Sequence, residues 1–119
     1  MWCRGIRGAA RVASNTSQDI LKASEELLTD IIRANDLKME DVAAIVFTLT
    51  SDLNAEFPAR AARRLGWEVI PLLCAQEIDV PQSLSSTLRI LILYNTEKKP
   101  EEINHVYLKG TEVLRETKI

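Results

Sequence analysis

The sequence is poor in the residues that most covalent and metal-dependent enzymes rely on. It holds one histidine and two cysteines, Cys3 and Cys74, and neither cysteine belongs to a Cys-x-x-Cys pair. That argues against a zinc site. Spacing alone leaves a disulfide open, but nothing else in the chain suggests export. No apolar stretch follows a basic start in the manner of a secretory signal, and no apolar run is long enough to span a membrane. A cytoplasmic protein with reduced thiols is therefore the expectation. The net charge of −2 lacks the basic excess that marks nucleic-acid binding. Arg4-Gly5-Ile6-Arg7-Gly8-Ala9 lacks the GxGxxG spacing of a dinucleotide fingerprint, and there is no phosphate loop and no Ser-His-Asp arrangement. Repeats, linkers and low-complexity segments are also missing, so residues 1–119 read as one domain, with 115–119 as a flexible C-terminal tail.

What is present is an ordinary globular balance, with 46% hydrophobic and 27% charged residues. Met1–Val12 reads as a strand interrupted by Gly5 and Gly8, where glycine marks a bulge or a close approach. Thr16 or Ser17 can cap a helix whose Ile20, Leu21, Leu27, Leu28, Ile31 and Ile32 recur at helical spacing to about Asn35. Val42–Leu49 is a short, β-branched apolar run and reads as a buried strand. Pro58 suits the first turn of a second helix that Gly66 stops. Further strands are expected over Trp67–Leu73 and Thr87–Tyr94. Cys74–Ser86 is expected to be mostly loop, Pro100 starts a short helix, and Val106–Leu108 with Glu112–Leu114 forms a last or bent strand. The result is an α+β fold, a mixed sheet with helices on one side.

The arginines carry the chemical signal. Arg89 lies between Leu88 and Ile90 in the most apolar strand, and a guanidinium there demands an anion. A structural salt bridge would satisfy that demand as well as a ligand would. Arg7 repeats the problem in the first strand, where solvent is the plainer partner. Arg60, Arg63 and Arg64 share roughly one helical face, either a basic surface or a mouth that attracts a small polyanion. Arg64 is read as surface. Glu77 sits at a strand end, where loops often hold functional groups, though a lone glutamate there is commonly solvated. Cys74 is more readily a small buried hydrophobe than a nucleophile, and only spatial proximity to His105 would support a Cys–His mechanism.

Arg4-Gly5-Ile6-Arg7-Gly8-Ala9 resembles the opening of the monofunctional bacterial chorismate mutases of the trimeric pseudo-α/β-barrel type. Asp52-Leu53-Asn54-Ala55-Glu56-Phe57-Pro58-Ala59, the stretch from Pro71 to Asp79, Leu88-Arg89-Ile90 and His105-Val106-Tyr107-Leu108 follow in the family's order. The resemblance implies a ferredoxin-like, pseudo-α/β-barrel homotrimer with sites at subunit interfaces. It implies chorismate as substrate, prephenate as product, and no cofactor or metal. Arg89 matches the arginine on the ether oxygen, and Arg7 and Tyr107 match groups that hold a carboxylate. Glu77 matches the acceptor of the ring hydroxyl, with the Cys74 thiol beside it. Phe57, Ala59, Arg60, Arg63 and Leu73 match the pocket wall, part of it from a neighbouring subunit. Leu114 and Arg115 match a mobile segment that covers the site. Arg60 stands where lysine is expected, and Leu73 where a hydroxyl residue is common. Two other readings share the fold: an enamine/imine deaminase-like trimer, whose pattern around the arginine is missing, and a non-catalytic small-molecule-binding trimer, against which Arg89 and Glu77 together weigh.

Overall fold

The helical periodicity of residues 17–35 and the apolar run of residues 42–49 set the two layers of the molecule. The computed structural model describes residues 1–117. Its elements are β1 (Trp2–Arg11), α1 (Ser17–Asn35), β2 (Val42–Leu49), α2 (Arg60–Arg64), β3 (Leu72–Gln76), β4 (Thr87–Thr96), β5 (Val106–Tyr107) and α3 (Glu112–Thr117), with single 3₁₀ turns at Met39–Asp41 and Pro100–Glu102. Thr16 caps α1, its hydroxyl accepting the Asp19 N–H at 3.1 Å. One stripe of the helix, Ile20, Leu27, Leu28 and Ile31, is fully buried. Each such side chain contributes roughly 1.5–3 kcal/mol.

The five-stranded sheet has the order β3-β2-β4-β1-β5. β4 is antiparallel to both β1 and β2, while β3 and β5 join the edges in parallel. Burial alternates along β4 from Leu88 to Asn95. Leu88, Ile90, Ile92 and Tyr94 are buried on one face with Ile6, Ala10, Ile45, Phe47 and Leu49 of the adjoining strands. α1 covers this face. Gly8 marks the closest approach: a Cβ there would stand 2.7 Å from Ile31 Cδ1 and 3.1 Å from the Val106 carbonyl oxygen. Arg89, Leu91 and Leu93 point the other way and are half-buried, like Val46 beside them. No helix among the described residues is long and apolar enough to cross a membrane.

The structure departs from the sequence reading in five places. The strand expected over Trp67–Leu73 begins at Leu72 and runs on to Gln76. Pro71 cannot donate to a ladder, but its carbonyl accepts the Ile45 N–H at 3.0 Å and opens the pairing there. Cys74 is consequently in a strand and not in a loop. The extended segment expected at Glu112–Leu114 is instead the helix α3. Gly110 at φ +94° turns the chain, and its N–H donates to Glu112 Oε1 at 2.8 Å. The helix expected from Pro100 to about His105 shortens to one 3₁₀ turn. Finally, the helices are not all on one side. Val113 and Leu114 of α3 line a cavity together with Arg89 on the face opposite α1. Residues 115–117, expected in a loose tail, close α3, and residues 118 and 119 lie outside the described residues.

Candidate active site

Strand register places the site. Residues directly opposite one another in a ladder share a face of the sheet. Thr48 pairs with Ala75 and with Arg89, Ala9 pairs with Arg89, and Ala9 pairs with Tyr107. Ala75, Thr48, Arg89, Ala9 and Tyr107 therefore form one row across all strands, on the face that α1 does not cover. Arg7 occupies the adjacent row on the same face, opposite Leu91.

Glu77 completes the row's anionic side. Its N–H donates to the Leu49 carbonyl at 2.9 Å, which carries the β2–β3 pairing one residue past the strand. Its carboxylate is held by donors from two strands. Thr48 Oγ1 donates to Oε2, and Arg89 Nη1 donates to Oε1 at 3.3 Å. The ion-paired side chains are 22% and 23% exposed, so the anion that Arg89 demands is at hand within the chain. Beside the pair lies a cavity of about 480 Å³ lined by Thr87, Leu84, Val113 and Leu114.

A second cluster surrounds Tyr107. Its ring lies 5.8 Å from the Arg7 guanidinium carbon and 5.1 Å from that of Arg115, within cation–π range. His105 Nδ1 accepts the Arg7 backbone N–H at 3.0 Å, and its carbonyl accepts from Arg115 Nη2 at 3.4 Å. These residues, with Ile103 and Asn104, line a cavity of about 380 Å³. Burial, then the charges of Arg7 and Arg115, push the His105 pKa below its ordinary 6.5.

The remaining expected site residues belong to β3, to α2 and to the segment just before α2. Phe57 is 64% exposed and shares a cavity of about 370 Å³ with Cys74, Ala55 and Pro58. Cys74 pairs with Phe47, so its thiol is on the helix-covered face, where with Ala59 it packs against the core. Burial raises the thiol pKa, against a smaller lowering by the Ala59 backbone, so the thiol is protonated at neutral pH. The sheet thus separates the Cys74 side chain from the Glu77 carboxylate beside which it was expected. His105 lies next to β5, at the edge of the sheet opposite the β3 strand that carries Cys74, so the two do not form a Cys–His pair. Arg60 Nε pairs with Glu56 Oε1 at 3.1 Å, Arg63 Nη1 donates to the Trp67 carbonyl at 2.6 Å, and Arg64 Nε pairs with Glu25 at 3.3 Å. Leu73 is 61% exposed on the open face, opposite Val46.

The structure therefore joins Arg89, Glu77 and Leu114, sets Arg7, Tyr107 and Arg115 alongside, and keeps Phe57, Ala59, Arg60, Arg63 and Cys74 apart. Thr48 escaped the sequence reading, because a threonine inside an apolar strand has no local mark. Only register shows that it faces Arg89. Among the described residues no cluster of His, Cys, Asp and Glu is placed to hold a metal ion.

Comparison with known proteins identifies the family and supports the fold. The sequence model of the family described as chorismate mutase type I matches residues 3–118. A chorismate mutase AroH from Thermus thermophilus is 44% identical over 113 residues, which cover 94% of this chain and 93% of that protein. A chorismate mutase AroH from Bacillus subtilis is 42% identical over 116 residues, covering 97% and 91% respectively. The solved structure of a chorismate mutase from Clostridium thermocellum superposes with a TM-score of 0.91 at 44% identity, covering 96% of this chain and 100% of its own.

Proposed function

We propose that this chain, which belongs to the chorismate mutase type I family, rearranges chorismate to prephenate on the open face of its sheet with Arg89 as the central cation. The chain is a chorismate mutase, an isomerase of aromatic amino-acid biosynthesis. The observation that carries the site assignment is the row that sets Arg89 between Thr48 and Ala9, with Glu77 on its side chain and Arg7 and Tyr107 next to it.

The chemistry asks little of side chains except position and charge. One C–O bond of the substrate breaks while one C–C bond forms within the same molecule, and no proton needs to move. The enzyme must hold the compact conformer in which the two carbons meet, an orientation effect. It must also stabilise the negative charge that grows on the ether oxygen, which a fixed guanidinium at a partly buried site does well. Arg89 supplies that donor. Arg7 and Tyr107 hold a carboxylate and orient the enolpyruvyl arm, Glu77 accepts the ring hydroxyl, and Leu114 with Arg115 closes the cavity.

The other wall comes in part from a neighbouring subunit of a homotrimer. Phe57 and Cys74 line a cavity at the β3 edge, and none of Phe57, Ala59, Arg60, Arg63, Leu73 and Cys74 lines the Arg89 cavity of its own chain. The open face bears half-buried Val46, Leu91 and Leu93 and exposed Leu73, a surface suited to cover by a second copy. Free Cys3 and Cys74 fit a reducing cytoplasm.

The test is direct. Purified protein added to chorismate, with no cofactor, should abolish the substrate's ultraviolet absorbance and yield prephenate. No loss of absorbance at high protein concentration would reduce the chain to a binding module, and release of ammonia from an imino acid would make it a deaminase.

A further inference from the structure

We infer that Thr48 is a positioning residue for this reaction: its hydroxyl holds one oxygen of the Glu77 carboxylate and so keeps a two-point ion pair from occupying a second donor of the Arg89 guanidinium. The inference rests on the reading of Arg89 and Glu77 given above. Thr48 of β2 and Arg89 of β4 are direct partners across the ladder and point to the same open face. Both reach the same carboxylate, Thr48 at Oε2 and Arg89 Nη1 at Oε1. Guanidinium and carboxylate groups favour a fork-to-fork arrangement with two parallel bonds. Here the second oxygen is occupied by a hydroxyl. The Arg89 contact of 3.3 Å lies just outside the ordinary N–H···O range of roughly 2.7–3.2 Å.

The choice of residue at position 48 fits this task. A hydroxyl carries one proton to donate, and here it goes to Glu77. Threonine is stiff at χ1, so that donor has a defined direction, and its direct partners across the ladders, Ala75 and Arg89, offer no acceptor side chain. The backbone of Glu77 is anchored independently through Leu49. Thr48 therefore sets where the carboxylate points, not whether the loop forms. With the carboxylate drawn toward β2, Glu77 stays aligned to accept a substrate hydroxyl, and the remaining donors of Arg89 can turn to the ether oxygen.

A merely structural threonine would predict a different pattern of mutant kinetics. Thr48→Val keeps the shape and the β-branch but removes the donor. It should lower kcat by about tenfold with a smaller change in KM, while Thr48→Ser should keep turnover within about threefold. In a Glu77→Gln background, Thr48→Val should cost at most about a further twofold, because the interaction it breaks is already altered. Light scattering and a melting temperature for each variant report assembly, and Thr48→Ala replaces the valine variant should that one fail to assemble. Near-normal kcat in the donor-free variant, or the same loss in both backgrounds, would overturn the inference while leaving the Arg89–Glu77 site intact. Normal turnover by Glu77→Gln itself would overturn the site reading, and this inference with it.

Discussion

The Arg115 guanidinium carbon stands 5.1 Å from the centroid of the Tyr107 ring. That contact ties α3 to β5, and Arg7 approaches the same ring from β1. A cation over an aromatic face contributes roughly 0.5–2 kcal/mol according to burial. Tyr107→Phe keeps the ring and should change kcat/KM by only a few-fold. Tyr107→Ala removes the platform for both arginines and should raise KM for chorismate by about tenfold or more. Steady-state kinetics over a wide substrate range separate the two. Equal KM values for the phenylalanine and alanine variants would show that the ring does not position this end of the site.

Arg89→Ala should leave the subunits assembled, because the side chain borders a cavity and is 22% exposed. Its kcat should fall by two to three powers of ten, the roughly 3–4 kcal/mol typical of losing one preorganised donor to a developing oxyanion. Arg89→Lys keeps the charge but loses the planar fork, and it should remain badly impaired. Arg64→Ala is the control, since Arg64 pairs with Glu25 of α1 on the helix layer. Near-normal turnover by Arg89→Ala would remove it from the centre of the mechanism.

Acid should weaken the fold through His105. Burial, then Arg7 and Arg115, lower its pKa from the ordinary 6.5, and the neutral ring accepts the Arg7 N–H. Below the ordinary value the unfolded chain takes up a proton that the folded ring still refuses. The stabilisation is therefore complete above 6.5 and is lost as pH falls through the lower folded value. His105→Asn offers a carbonyl acceptor that does not titrate, so its melting temperature should fall less between pH 7 and about pH 5 than that of the wild type. Parallel melting curves across that range would count against it. Turnover, by contrast, should be nearly flat around neutrality, because the rearrangement transfers no proton.

The open face also predicts assembly. For the homotrimer proposed above, light scattering should report three chains per particle, as a closed ring whose contacts repeat around one axis. Replacing Leu91 with Asp sets a charge in the half-buried row opposite Arg7 and should dissociate the particle. Activity should then be lost along with the trimer. A monomer with full turnover would contradict the shared site.

Local signals sufficed for much of the architecture. The cap at Thr16, the stripe from Ile20 to Ile31 and the bounds of Val42–Leu49 follow from spacing, because each depends on neighbours a few residues away. The start of β3 at Leu72 depended on a partner, since the Pro71 carbonyl finds Ile45 only when β2 lies beside it. α3 was hidden because a run as short as Glu112-Val113-Leu114 suits a strand as well as a helix, and the turn at Gly110 decides between them. From the residues alone, Arg89 required an anion of unspecified origin, and the family resemblance assigned it a substrate. Tertiary structure decided that Glu77 stands against it, that Thr48 shares the carboxylate, and that Cys74 faces the other side of the sheet. The physical reason is that strand register joins residues far apart in sequence. A shift of one residue would turn each of these side chains to the opposite face.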